Sequence, residues 1–527
     1  MFDYVIQNGL LVDGSGADAC KKDLAIQNGR IVAIANSISA ALSKQVIDAD
    51  GLIVAPGFID IHSHSDVNFL ADDRCESKLF QGVTTELMGQ CGSSVYPAPK
   101  EHFARLEAYA GKKASGFASC SLAEFAQKIE RNGRRMATNL LPLVGHGALR
   151  CGVLGYENRP ITPDELSQMR ALLARDMADG AWGMSLGLGY TPGLSSDVDE
   201  LSSLGQIVAP YGGIITSHMR NQGSRTPQSL DEMYEIFRRS GAHVHIAHFK
   251  ASGKSCWGRA QEFIDNVHRA QQADIHVTAD VYPYCAASSG ITNSFPKWSI
   301  QGGKQHALDL LSGPERSKIL SYLNERFSEK DDAERLVVVS TNGTIEEADG
   351  KNLYELSKLW GISPGEAAAL VAEKTNAGAT CISFSMAESD VLTMLSQPDF
   401  SIGSDGRALC FDASKNAGKP HPRNFGTFPR FLRLARENRI CSLELAVRRI
   451  TGLSADYIGL TDRGYLRPGY VADITLFNWK TVTDTATFSD PFQKPQGIEA
   501  VFVGGRLALY QGRQTDARNG ALLLKRK

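Results

Sequence analysis

Apolar positions along the chain gather into short runs rich in β-branched and aliphatic residues, each ending in small or polar residues. These runs occupy 52–61 (LIVAPGFIDI), 82–91 (GVTTELMGQC), 138–146 (TNLLPLVGH), 180–190 (GAWGMSLGLGY), 212–220 (GGIITSHMR), 242–250 (AHVHIAHFK), 275–284 (IHVTADVYPY) and 399–406 (DFSIGSDG). Between most of them lie stretches with apolar residues at helical spacing, such as 163–178 and 259–273. Eight strand candidates alternating with helices predict an α/β fold, a (β/α)8 TIM-like barrel of parallel strands. A ninth run, RLVVVS at 335–340, competes for a place in it.

The two ends of the chain follow another pattern. Residues 1–50 and 464–527 carry short strand patterns broken by turn signals such as QNG, DGSG and VGG. They predict a small β-sandwich built from both chain termini. The segment 286–350 is too long for an ordinary βα connection and contains the helix-like stretch KQHALDLLSGPERSKILSYLNERF. It predicts an inserted lid over the barrel mouth. The division expected is therefore 1–55 for the first part of the sandwich, 56–463 for the barrel with its insertion at about 286–350, and 464–527 for the second part.

Composition removes several classes of function. The chain is 43% hydrophobic and 22% charged, with a net charge of −2 and no basic block. Neither nucleic acid nor a membrane surface is an expected partner. No apolar run approaches the length of about 18 residues that suggests a membrane span. The N-terminus shows no basic region followed by an apolar one, so no secretory leader is expected. Ten cysteines are scattered without CxxC pairs, which reads as reduced thiols of a cytoplasmic protein.

The strand ends hold the candidate chemistry. In a parallel barrel, functional groups sit at the C-terminal ends of the strands. Strand one ends in His62 and His64, whose i and i+2 spacing puts both rings on one face. Strand two ends in Cys91, strand five in His218, strand six in His248 and strand eight in Asp405. Imidazole, thiolate and carboxylate all suit a borderline cation, and the set favours Zn²⁺. A single strand-end histidine is more often structural, but six such residues at one mouth are not explained that way. His243 and His245 stand at odd spacing from His248 and are expected to face away from it. His276 begins its strand and reads as structural. His146, which ends strand three, is a candidate for a supporting or substrate role, with a purely structural one as the alternative.

The motifs carry a resemblance. The HxH, the histidines ending strands five and six and the aspartate ending strand eight resemble the amidohydrolase superfamily, as does RGYLRPGYVADITLF at 463–477. Within it the chain is most similar to the N-acyl-D-amino-acid deacylases, or D-aminoacylases. The matching stretches are GQCGSS (89–94), SLGLGYTPG (185–193), GGIITSHMRNQG (212–223), HFKASGKSCWGR (248–259), DVYPY (280–284), GSDG (403–406) and HPRNFGTFPRFL (421–432). Many superfamily members bridge two metals with a carboxylated lysine ending strand four, and GMSLGLGY has none. The resemblance puts Cys91 in its place.

The resemblance implies that Cys91, His218 and His248 hold one tightly bound zinc, with His62 and His64 forming a weaker neighbouring site. It makes Asp405 the catalytic acid/base, and a carboxylate beside zinc can move a proton from water to the departing nitrogen. Arg423, Lys250 and Tyr282 (less so Tyr284) are implied to grip the free α-carboxylate of the substrate, for which a guanidinium fork is well matched. Arg220 and Arg430 lie near the mouth with open roles. The activity expected is hydrolysis of an N-acyl-D-amino acid to a carboxylate and a free D-amino acid. D-selectivity comes from the resemblance alone. Competing readings are a cyclic-amide hydrolase of the hydantoinase or dihydroorotase kind, a D-dipeptidase, and a non-catalytic binding barrel. The missing strand-four lysine and the presence of Arg423 weigh against the first. The complete ligand set weighs against the last. An acidic substrate side chain would need another cation, with Lys254, Arg259 and the insertion's lysines as candidates.

Overall fold

The computed structural model describes the whole chain except residues 111–114, 132, 134 and 527. Parallel strands lie at Phe58–Asp60, Val83–Met88, Asn139–Pro142 with Val144–Gly145, Gly183–Gly187, Ile214–His218, His243–Ile246, Val277–Val281 and Phe400–Ile402. They form two parallel sheets, one holding the first three strands and one running in sequence order from Val144–Gly145 to Phe400–Ile402. Where the eighth strand passes the first, the Asp405 N–H donates to His62 O and the His64 N–H to Gly406 O, both at 2.8 Å. The strands are buried on both faces, as expected of parallel sheets covered by helices. The chain is an α/β protein.

Helices follow their sequence signals closely. The stretch 163–178 forms the helix Pro163–Ala178, opened by a capping box between Thr162 and Glu165 with proline at the first helical position. The stretch 259–273 forms Ala260–Gln272. No helix among the described residues is long and apolar enough to cross a membrane.

Three expectations need correction. The run 52–61 is not one strand. Ile53–Pro56 pairs with Ile474–Phe477 and Leu10–Leu11, while Phe58–Asp60 pairs with Val83–Met88. Gly57 divides them; a Cβ there would lie 2.2 Å from Thr84 Oγ1, so no larger residue fits the crossing. The ninth run forms Leu336–Ser340, which is antiparallel to its neighbours and lies outside the parallel sheets. The insertion does not stop near 350. Its sheet runs in the order Ala287–Gly290, Thr380–Ser383, Leu336–Ser340, Lys351–Asn352, and its own apolar core extends from Ile291 to Cys381. The return strand Thr380–Ser383 sits between two earlier ones, so the unit is incomplete without residues beyond 350.

The third correction concerns the C-terminal tail. A seven-stranded sheet runs from Arg513–Gln514 through Ile474–Phe477 and Ile53–Pro56 to Cys20–Lys21, so it draws on both ends of the chain. It shares a core with a four-stranded sheet of residues 2–48, where Ile6, Leu24 and Ile47 meet Leu476 and Phe502. Beyond these sheets, however, the tail runs against the parallel strands. Gly520 bridges Met136, Leu522 bridges Leu140, and the Trp182 indole donates to Leu523 O at 2.6 Å.

Candidate metal centre and active site

Short strands leave the functional side chains on the turns that follow them. Only His218 belongs to a regular strand; His62, Cys91, His248 and Asp405 lie just beyond theirs. Cys91, His248 and Asp405 have φ of 55°, 40° and 50°. This left-handed conformation is uncommon for non-glycine residues, though less so for Asp and His, and it recurs at functional sites. Glycines make room: a Cβ on Gly403 would lie 2.5 Å from His62 Cβ, and one on Gly189 would lie 2.9 Å from His218 Nε2.

The six residues converge. Cys91 Sγ lies 3.5 Å from His62 Nε2, 3.6 Å from His248 Nε2 and 3.9 Å from His218 Nδ1. Asp405 Oδ1 lies 3.1 Å from His64 Nε2 and 3.7 Å from His62 Nε2. Among the described residues, three overlapping groups have ligand atoms within 4.8 Å of one another: His62, His64 and Cys91; Cys91, His218 and His248; His62, His248 and Asp405. On the other side of Asp405, Arg423 Nη1 is 2.7 Å from Oδ2.

Known proteins share this chain's sequence and architecture. The profile of the amidohydrolase family matches residues 45–281 and 365–508. An N-acyl-D-aspartate deacylase of Alcaligenes xylosoxydans xylosoxydans is 35% identical over 99% of this chain and 95% of its own length. The chain belongs to the amidohydrolase family. A D-aminoacylase of the same organism is 34% identical to this amidohydrolase, over 99% of this chain and 98% of its own. The crystal structure of N-acyl-D-glutamate deacylase from Bordetella bronchiseptica holds zinc and a phosphonate inhibitor that mimics the tetrahedral intermediate of the reaction. It superposes with a TM-score of 0.83 at 30% identity, covering 99% of both chains. Hydantoinase structures lie farther off, at 14 to 16% identity, and share the fold alone.

The amidohydrolase's cluster fits a zinc ion. Zn–S of about 2.3 Å and Zn–N of about 2.0–2.1 Å in a tetrahedral site separate sulfur from nitrogen by about 3.6 Å. The Cys91 contacts, at 3.5 to 3.9 Å, bracket that value. Electrostatics agree. Burial would push the Cys91 thiol up, but the surrounding His62, His218 and His248 draw it well below the usual thiol range. Burial opposes charge on His64, yet Asp405 and Cys91 raise it to about 9. His62 is raised likewise, against its burial, by Asp280 and Cys91. The thiolate and the carboxylate together make a well for positive charge.

Asp280, not singled out from the sequence, is a central support. Its Oδ2 lies 3.3 Å from His62 Nδ1 and 3.1 Å from His245 Nε2, and its Oδ1 accepts the His248 N–H at 2.9 Å. Carboxylates in this position fix the tautomer and orientation of a ligand histidine. Gln222 Nε2 does the same for His248 Nδ1 at 3.0 Å. His245 therefore faces into the protein beneath the site, contrary to the alternation argument. The strand ends at Ile246, and the left-handed turn at His248 breaks the period on which that argument rests. His243 stacks on His276 at 3.9 Å, away from the cluster.

The remaining candidates divide cleanly. Lys250 Nζ and Arg423 Cζ lie 5.0 and 5.5 Å from the Tyr282 ring centroid. Tyr282 Oη and Arg423 Nη1 are buried with no well-aligned hydrogen-bond partner. Burial, with Arg423 close by, lowers the Lys250 ammonium to about 8 despite Asp405. His146 is held by Glu200, its Nε2 2.7 Å from Oε1, and Arg150 pairs with the same carboxylate. Arg220 is tied to Glu232, and Arg430 to Asp484 and Pro283 O. Lys254 pairs with Asp331 and Asp332, and Arg259 with Glu262.

Proposed function

We propose that this amidohydrolase is a zinc-dependent deacylase that hydrolyses the amide bond of N-acyl-D-amino acids, giving a carboxylate and a free D-amino acid. The observation that carries the reading is the convergence of Cys91, His218 and His248 beside Asp405. Full-length relatives named for N-acyl-D-aspartate and N-acyl-D-glutamate support it and supply the D-configuration.

Cys91, His218 and His248 would hold one tight zinc, and His62 with His64 a neighbouring weaker site. Zinc bound there lowers the pKa of water and polarises a carbonyl oxygen. Asp405 Oδ1, on the histidine side of the carboxylate, takes the proton of the attacking water and returns it to the departing amide nitrogen. Arg423, Lys250 and Tyr282 grip the free α-carboxylate. Two cations flank one aromatic ring there, and two buried polar atoms lack aligned partners. An incoming carboxylate satisfies both. His146 would have a supporting role, its Nε2 held by Glu200 and its Nδ1 buried without a hydrogen-bond partner.

The two parallel sheets form one barrel, residues 56–463, that carries the site. Residues 1–55 and 464–527 complete a β-sandwich beside it, the last few residues returning to the barrel. The insertion acts as a lid: Lys297 Nζ donates to Gly189 O at 3.0 Å, and Thr191 Oγ1 to Ile300 O at 2.8 Å, on the loop beside His218. Ten unpaired cysteines suit a cytoplasmic enzyme.

The test is a screen of N-acetyl- and N-formyl-D-amino acids, with the L-isomers as controls, on protein of measured zinc content. Turnover confined to D-substrates is the expected result. Zinc-loaded protein that hydrolyses neither series, or both equally, would sink the reading.

A further inference from the structure

The chemistry above makes no use of Lys78, yet it is one of the largest side chains wholly removed from solvent. It sits on the short helix Glu76–Leu79, ahead of the second parallel strand. Its ammonium donates to Asp60 Oδ2 at 2.6 Å, Ser404 Oγ at 2.8 Å and Gly406 O at 3.3 Å. All three N–H bonds of the ammonium are used. Glu86 Oε2, 3.4 Å away, is a second counter-charge.

These acceptors bracket the catalytic carboxylate. Ser404 and Gly406 are the residues on either side of Asp405. The other Asp60 oxygen, Oδ1, accepts the Ser404 N–H at 2.8 Å and the His62 N–H at 3.2 Å. Glu86 Oε2 accepts the hydroxyls of Ser63 and Ser65, which flank His64, both at 2.6 Å. One buried ammonium thus joins the segment that carries His62 and His64 to the segment that carries Asp405. It does so where Asp405 has a φ of 50°, a left-handed conformation uncommon for a residue other than glycine. Lysine suits the position because a compact charge with three separately directed donors can serve acceptors in three directions. The flat fork of arginine cannot.

We propose that Lys78 is a positioning residue for the reaction: through Asp60, Ser404 and Gly406 it holds Asp405 in its left-handed conformation and at its spacing from His62 and His64. The kinetic consequence rests on the deacylase reading; the effect on metal binding does not.

The experiment compares Lys78→Met, Lys78→Arg and Ser404→Ala with wild type in the full-length protein. Outer partners of metal sites typically contribute about 10–100-fold to activity or affinity. In Lys78→Met, kcat on the preferred N-acyl-D-amino acid should fall by that much, with KM changed by less than about threefold and the tightly held zinc retained. The weakest step of the Zn²⁺ binding isotherm should weaken by about tenfold or more, and Lys78→Arg should rescue neither quantity. Ser404→Ala removes a single hydroxyl and carries the test if Lys78→Met does not fold; a fall of about tenfold in kcat at unchanged KM is expected. Unchanged kcat and an unchanged isotherm in the folded variants overturn the proposal, as does a change in KM alone. If wild-type protein hydrolyses no N-acyl-D-amino acid, the deacylase reading has failed. The isotherm then decides alone, weaker binding supporting the role of Lys78 and unchanged binding overturning it.

Discussion

Arg423 Nη1 and Asp405 Oδ2 lie 2.7 Å apart, with both side chains almost wholly buried. The N–H bonds of Nη1 are not aligned on that oxygen, so the contact is an ion pair without a directed hydrogen bond. The guanidinium therefore holds Asp405 ionised while keeping donors to offer elsewhere. Burial would raise the Asp405 carboxyl, but Arg423, His64, His248 and His62 bring it well below the usual carboxylate range. The family resemblance implies a substrate role for Arg423, and the structure adds this salt bridge to Asp405.

Arg423→Met tests both duties. Truncating a buried charge partner costs about 2–5 kcal/mol, roughly 30- to 5,000-fold in kcat/KM on an N-acyl-D-amino acid. The α-amide of the same substrate should lose activity as well, but less, because only the Asp405 contact is then at stake. The sign of the pH effect follows from the ion pair. Arg423 lowers the Asp405 pKa, so its removal raises that pKa, and the acid limb of kcat/KM moves to higher pH. Profiles on acid and amide check this; equal losses on the two substrates would remove Arg423 from carboxylate binding.

Cys91→Ala should fold and lose its zinc. An outer partner of a metal ligand is worth about 10–100-fold in affinity, and the thiolate at the centre of the cluster is worth more. Metal analysis after gel filtration is the measurement, and one full equivalent of zinc in the variant would refute the ligand set.

Asp405→Asn keeps the size of the side chain but cannot carry a proton. Its kcat should fall by about 10²–10⁴-fold with zinc still bound. A variant that retained a tenth of wild-type kcat would mean that another residue moves the proton.

Asp176 lies far from this chemistry and offers a test of stability. It is fully buried, Oδ2 has no partner, and burial pushes its carboxyl up to about 7. The unfolded carboxyl titrates near 3.9. Folding therefore takes up a proton between about pH 4 and pH 7, and the folded state loses stability as pH rises through that window. Asp176→Asn removes the effect. At about 1.4 kcal/mol per pH unit its gain has a ceiling of about 4 kcal/mol. Thermal midpoints should show a larger advantage for the variant at pH 8 than at pH 5; a constant difference would contradict the argument.

Much of the site was legible because local periodicity exposes strand ends. Runs that close on His62, Cys91, His218, His248 and Asp405 mark where side chains leave a parallel strand, and those residues do converge. The helix at 163–178 was legible for a similar reason, since its apolar residues recur at helical spacing; the capping box of Thr162 and Glu165 comes from the structure. His245 departs from the alternation because a left-handed turn, which no local pattern announces, stands at His248.

What the sequence determined by itself is which segments are strands, which are helices, and which strand ends carry chemistry, because those properties depend on neighbours a few residues apart. Only the tertiary structure decided which partners they meet. It split 52–61 between two sheets, closed the insertion with Thr380–Ser383, and set Asp280 beneath His62 and His245. It also buried Lys78 among Asp60, Glu86 and Ser404. In the sequence, a lone lysine on a short helix reads as a solvated surface residue. Its burial follows from a counter-charge 18 positions away and a hydroxyl 326 positions away, and period and composition do not record contacts at that range.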